Sequence, residues 1–581
     1  MNTTELNVRV RFGKASSLPT RRVSSPLFSE MIGVIANRVE LSTVTEFFEL
    51  FKTPWEFWRP GTRYDVLLCS NSPVPQNDAS LVLLYGSQPQ AFELNRGMET
   101  RCIRGPGFVT FRDSRMPIYG NYLLFDGQGD KALLHDGTGA AAAVSTASGP
   151  QTMVRLGFDL FEELHHLLTQ GQPAELASIP TLELHISLLR QLILSQGVPL
   201  VEIPPVPAGY SFIVCLTHDV DHPGVRYHKF DHTMFGFLYR AVIGSAIQFC
   251  RAQRSVRQVA ANWKAAFSLP LVFAGIVKDF WNQLDRYLEL EKDLASTFFV
   301  IPTKGEAGVD PKGRTNPRRA SPYAAADITD ELKKLLCANC EIAVHGIDAW
   351  RDCAKGREER EQIQEITGTT ETGVRIHWLY FDSEAALTLE KAGFLYDSTV
   401  GYNETIGYRA GTTQVFKNPN VNHLLEFPLH IMDTALFYPS YMNLSDGAAR
   451  AAILPLIENV TKFGGVLTIN WHDRSLGPER LWDDAYITLL HDLRARTPWF
   501  ATAAQAVSWF RKRRSMSFAT IIQDDGSLRV RAPVDPTAAD LPYLTLRVYN
   551  NGSSRRSRGD KENAAFEDFT IGASDEVLFA A

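Results

Sequence analysis

The sequence contains no uninterrupted apolar run long enough to cross a bilayer. Two stretches between Met234 and Val277 are greasy, but Arg240 breaks the first, and the second, Leu269 to Val277, spans nine residues. A spanning helix needs about 20. The N-terminal MNTTELNVRVRFGK lacks the apolar core of a secretory signal. Cysteine is scarce: seven in 581 residues, an odd number and scattered, which suits a reducing compartment better than a disulfide framework. Positive charge is not in excess either. The net charge of −6 offers no overall attraction to nucleic acid or anionic lipid. Together these absences lead us to expect a soluble, cytoplasmic protein with no transmembrane segment and no nucleic-acid partner.

What is present is an ordinary globular composition, 45% hydrophobic, 21% charged and 11% aromatic. A chain this long exceeds one core and predicts two or three domains. Residues 1–204 read as a mixed α/β domain of unknown role. They carry strand-like runs at Tyr64–Cys69 and Ala79–Tyr85 and helical spacing at 158–168 and 182–194, and end at the Pro-rich VEIPPVPAG (201–209). Residues 205–514 alternate regularly. Helices at 282–294, 326–338, 355–366, 382–392 and 446–463 precede strands Ser296–Ile301, Glu341–His345, Gly373–His377, Phe394–Asp397 and Val466–His472. Helices near 482–496 and 501–511 follow. Five such pairs predict a parallel sheet or an (α/β) barrel. A helical insert, about 229–281, interrupts the pattern. It suits a cap over the site or a surface helix making peripheral membrane contact, and the dispersed basic residues favour the cap. Residues 515–581 predict a small β-rich appendage.

The chemistry concentrates at strand ends. Phe212 to His222, FIVCLTHDVDH, is a buried-strand pattern that stops abruptly in carboxylates and imidazoles. Alternation points Asp219 and Asp221 the same way, where they repel unless a cation or proton separates them. Other strand ends carry His345 with Asp348, Arg375 with His377, and His472 with Asp473. Parallel strands present their C-terminal ends on one face, so these groups could converge. Two imidazoles and a carboxylate with an open position are what catalytic zinc takes. A second carboxylate can serve as base, a guanidinium can hold it ionised, and an opposed histidine can protonate a leaving group.

In order and strand context these segments resemble the polysaccharide deacetylases, the NodB-homology group of carbohydrate esterase family four. The likeness covers roughly residues 210–512: LTHDVDH in place of the first motif in its DxD variant, STFFVIP the second strand, EIAVHGID the histidine motif, GVRIHWLYF the arginine motif and LTINWHD the last histidine motif. FLYDSTVGYNETIGYRAGT is similar to a divergent branch of that family. The resemblance implies a distorted (β/α) barrel and a metal-dependent hydrolase that removes N-acetyl groups from a saccharide. It implies Asp219 as base, Asp221 and His345 as metal ligands, Arg375 as orienter of the base and His472 as general acid, with Asp397 a weaker match to an acidic residue near that histidine. One departure matters: where the family places a second histidine, this chain has Ala349. His377, two residues after Arg375 and on the same side of its strand, is the preferred replacement, and Asp348 the alternative. His222, Trp378 and Trp471 are candidates for contact with the saccharide. The rival reading is a catalytically degenerate carbohydrate-binding or polysaccharide-assembly protein on the same fold, which Ala349 favours and the retained Asp219, Asp221, Arg375 and His472 oppose.

The remaining motifs have plainer explanations. Cys337 and Cys340 lack a second pair at metal spacing. Arg511 to Arg514 close a helix, where the dipole favours positive charge. His228 and His232 lie in a loop, and His430 and Asp433 suit core packing at least as well as a cleft. Gly105–Gly107 and Gly137–Gly139 lack the helix a phosphate cradle needs and read as turns.

Overall fold

The computed structural model describes residues 32–126, 131–251, 254–519, 529–531, 540–549 and 566–571. The apolar runs that end in polar residues form one parallel sheet. Its strands are β1 (Ile213–Val220), β2 (Ser296–Val300), β3 (Glu341–Gly346), β4 (Val374–Ile376), β5 (Tyr396–Asp397), β6 (Leu425–Glu426), β7 (Ile431–Met432), β8 (Val466–Asn470) and β9 (Trp499–Phe500). The order is β6-β5-β4-β3-β2-β1-β8-β7, with β9 against the start of β1. Every pairing is parallel, as expected of strands buried on both faces.

The two edges of this sheet are joined by a single stretch of chain. Phe427 N–H donates to Asp397 O at one edge, and His430 N–H donates to Thr468 O at the other. Residues 425–432 thus carry the chain across the gap and curl the sheet into a distorted (β/α) barrel. Helices Cys353–Thr367, Asp446–Phe463 and Asp483–Arg494 lie among the outer layer, close to the spans that periodicity predicts.

Among the described residues the N-terminal sheet has eleven strands. It is parallel around Val66–Ser70 and Leu81–Tyr85 and antiparallel beyond Gln151–Leu156. Helices Leu41–Phe51, Leu160–Thr169 and Thr181–Ser195 contribute to its core. Strand Leu544–Tyr549 pairs with both Leu200–Glu202 and Phe566–Ile571, so the C-terminal β segment shares a sheet with residues that precede β1.

Arg513, expected to do no more than complement a helix dipole, is fully buried. It donates to the carbonyls of Ile203, Glu49 and Leu50, each at 2.9 Å, while its neighbour Arg514 pairs with Glu46. The basic run therefore fastens the last barrel helix, Ala503–Ser515, to the N-terminal helix Leu41–Phe51. The insert forms two helices, α1 (His232–Cys250) and α2 (Val256–Phe273). α1 runs unbroken through Arg240 for 19 residues, long and apolar enough by length and composition to cross a membrane, so the sequence expectation of a broken run does not hold.

Candidate active site and metal centre

Strand alternation governs the site. Along β1, Thr217, Asp219 and the following Asp221 face the barrel axis. His218 faces outward, where its Nδ1–H donates to Trp471 O at 2.7 Å and Nε2 lies 3.0 Å from Glu291 Oε1. At the C-terminal ends of β1, β3 and β4, Asp221, His345 and His377 bring one ligand atom each within 4.8 Å of one another. Asp221 Oδ1 lies 3.3 Å from His345 Nε2 and 3.5 Å from His377 Nδ1, and these two nitrogens are 2.9 Å apart. Asp221 Oδ1 is buried and makes no hydrogen bond. His345 Nδ1–H donates to Arg375 O at 3.0 Å, which fixes the tautomer and leaves Nε2 with its lone pair towards the triad. Two imidazoles and a carboxylate, with an orphaned oxygen between them, fit a divalent ion of the zinc type.

Asp348, the alternative ligand, is not in this triad. Its Oδ1 accepts from Val309 N at 3.1 Å. Ala349 is buried in the barrel core, and His377 reaches the place beside His345 from the neighbouring strand. Behind His377 the backbone is strained: Trp378 and Leu379 take φ of 61° and 53°. Left-handed geometry at such bulky residues costs of order 1–3 kcal/mol each. It sets the Trp378 ring 3.8 Å from that of His377.

Beside the triad stands the second carboxylate. Arg375 Nη1 donates to Asp219 Oδ1 at 2.8 Å, and Asn470 Nδ2 donates to Oδ2 at 2.7 Å. Burial pushes this carboxyl up, but Arg375 first, then His345 and His472, hold it below the usual range. Arg375 is itself fully buried, and Thr217 and Ser398 accept its other N–H groups. Opposite, His472 Nδ1–H donates to Asp433 Oδ1 at 2.6 Å, and Asp433 Oδ2 accepts from His472 N and Ser475 Oγ. Its Nε2 points to the triad, 3.7 Å from Asp221 Oδ2. Burial alone would lower the imidazole, but Asp433, then Asp221 and Asp219, raise it to about 10.

One carboxylate kept ionised, one imidazolium kept protonated and a metal-type triad between them can add water across an amide. No protein-family model matches the chain. No curated protein matches it significantly. Solved structures do resemble it. A candidate polysaccharide deacetylase from Mycobacterium smegmatis is 18% identical over 53% of this chain and 95% of that one, with a TM-score of 0.33. One from Pseudomonas aeruginosa PAO1 is 16% identical over 55% and 97%, at 0.34. A novel carbohydrate deacetylase is 10% identical over 94% and 98%, at 0.32.

Two expectations need correction. Trp471 does not face a substrate: it alternates outward between Asn470 and His472, is 1% exposed, and packs on Phe437 and Tyr486. Asp397 is not the partner of His472. Its carboxyl accepts from Thr399 Oγ1, and it lines a cavity against Leu167 and Glu426, while Asp433 takes the place beside the histidine. His222 and Trp378 remain at the rim, both half-buried. His222 Nδ1 is engaged with His228 Nε2 at 2.9 Å. His430 is structural, bonded to Thr412 O and Thr468 N. Sequence reasoning missed Asn470, whose signal is its place two residues before His472 on the inward face of β8.

Proposed function

We propose that the chain is a metal-dependent hydrolase that removes an N-acetyl group from a saccharide. The observation that carries this reading is Asp219, ionised between Arg375 and Asn470 and adjoining a triad of metal-type ligands. Asp221, His345 and His377 would hold the ion, zinc by donor type. When bound it supplies a Lewis acid that polarises an amide carbonyl and eases deprotonation of water. Asp219 accepts the proton of the attacking water. Arg375 and Asn470 keep that carboxylate oriented without neutralising it. His472, protonated at Nε2, delivers a proton to the departing nitrogen, and Asp433 holds the opposite nitrogen so that Nε2 faces inward. The saccharide class follows from the motif resemblance, with half-buried Trp378 at the rim, its ring close to His377 and Arg319.

Ala349 in place of a histidine would favour a degenerate protein, but His377 offers a ligand in its stead beside His345 and Asp221. The seven unpaired cysteines support a reducing, cytoplasmic setting. The test is metal content together with acetate release from a panel of N-acetylated saccharides. Stoichiometric zinc with acetate release is expected. A protein that binds no divalent ion when loaded, or one that binds zinc yet releases no acetate from any saccharide, would sink the proposal.

A further inference from the structure

Of the 22 large apolar side chains exposed among the described residues, 12 lie between Phe230 and Val277, so more than half the exposed apolar bulk sits in under a tenth of the chain. They form ridges. On α1, Phe235, Tyr239, Ile243 and Ile247 recur every four residues and are 56%, 59%, 50% and 43% exposed. The opposite face of α1, with Met234, Phe237 and Ala241, is buried. On α2, Trp263, Phe267 and Leu271 recur at the same spacing, 41%, 75% and 45% exposed, while Ala265, Ala266 and Leu269 are buried. The helices contact each other and share a small core with Val225 and Trp281, and Trp263 Nε1–H donates to Val242 O at 3.3 Å. Both ridges turn away from that core. An exposed patch of this kind marks an interaction surface.

Charge identifies the occupant. Residues 229–278 hold seven Lys or Arg and one acid, Asp231, whereas the whole chain carries −6. Lys229, Arg251, Arg257 and Lys264 are exposed beside the apolar ridges. The basic residues, dispersed along the sequence, therefore flank an outward apolar face in space, which is the composition of an interfacial helix on anionic lipid. We infer that α1 and α2 form a docking surface that lies flat on an anionic bilayer. A spanning role for α1 is excluded by its attachments. Arg240 pairs with Glu479, the chain just beyond α1 is held by Arg254 donating to Glu479 O, and withdrawing α1 would strip Phe237 from Trp281, on which it packs. Glu479 N also donates to Asn262 Oδ1 at 2.7 Å, so the surface is fixed to the loop that follows His472 and sets how the barrel faces the membrane.

The test uses the full chain in co-sedimentation with phosphatidylcholine vesicles, with and without phosphatidylglycerol. We expect binding that requires phosphatidylglycerol and weakens as salt is raised. The double variant F235E/F267E should lower the partition coefficient at least about tenfold, and R251E/R257E about as much. Thermal melting and metal content should match the parent in both variants, since none of the four side chains is buried. Equal binding with and without phosphatidylglycerol, or variants that bind as the parent does, would overturn the inference. So would a chain that ignores vesicles but dimerises through this face, seen as a mass by light scattering that F235E/F267E halves.

Discussion

At the scale of single residues, the site divides labour between two carboxylates through their surroundings. Asp219 has two strong donors and no ligand-type imidazole within 3.5 Å, whereas Asp221 has the imidazoles and an oxygen with no donor. Asp219→Asn should therefore leave zinc stoichiometry intact by elemental analysis while lowering kcat by about 10²–10⁴. His377→Ala should lose the metal, and Asp348→Asn should keep it. Asp433 is the largest of the influences that raise His472. Asp433→Asn thus lowers the imidazole pKa, and the proton that His472 must donate is lost at lower pH. The alkaline limb of the kcat profile should move towards acid, with KM little changed. An unmoved limb would separate Asp433 from proton transfer. These roles differ in how legible they were. Asp219, Asp221, His345 and His472 sit where an apolar run meets a polar residue, a pattern readable in one segment. Asp433 and Asn470 act on residues about 40 and 250 positions away, so a local pattern can place them at a strand end but does not announce which residue they serve. Trp471 misled for a related reason. An aromatic beside a histidine suggests a sugar platform, but period-two alternation places it on the opposite face.

At the scale of elements, the parallel strands were readable because each is a short apolar block between amphipathic helices. The two-residue strands β6 and β7 were less so, because they belong to one crossing segment whose pairing depends on both sheet edges. The basic helix end at Arg511 to Arg514 shows a further limit. A cation run at a helix C-terminus is explained by the dipole alone, and nothing local shows that Arg513 reaches three carbonyls of distant segments. Those bonds are buried and charge-assisted, so Arg513→Ala should orphan three acceptors. It should cost about 2–4 kcal/mol of stability, measured as the shift in denaturant midpoint. A midpoint within experimental error of the parent would show that the clamp is ornamental. Turnover per folded molecule should not change, because the carbonyls that Arg513 holds, those of Ile203, Glu49 and Leu50, belong to no site residue.

At the scale of the whole molecule, three buried carboxyls prefer to be neutral, and one of them, Glu183, ties the N-terminal part to the barrel. Glu183, on helix Thr181–Ser195, accepts from Thr412 Oγ1 at 2.7 Å and from Thr413 N at 3.0 Å across the junction. Glu163 holds Tyr119 N and Gly120 N, and Glu359 caps Ile347 N and Asp348 N behind the site. Burial is the leading cause that raises all three, to about 7 each from 4.5. Between those values the folded chain retains protons that the unfolded chain has released. The stabilisation is fully present below the unfolded value and is lost as pH rises through about 7. Each such carboxyl contributes at most about 3 kcal/mol at 1.36 kcal/mol per unit. Asp219, Asp221 and Asp433, all held below the usual range, stay ionised throughout that window and do not oppose the trend. Buried His185 and His430, held at about 3 and about 4 from 6.5, take up protons only on unfolding and raise stability up to about pH 6.5. The carboxyls govern above it, so the thermal midpoint should fall from about pH 6.5 to about pH 8. Glu183→Gln, which keeps the accepting oxygen and cannot ionise, should flatten that fall while leaving the midpoint near pH 5 little changed. A slope identical to that of the parent would mean that the junction between sheet and barrel does not hold its proton.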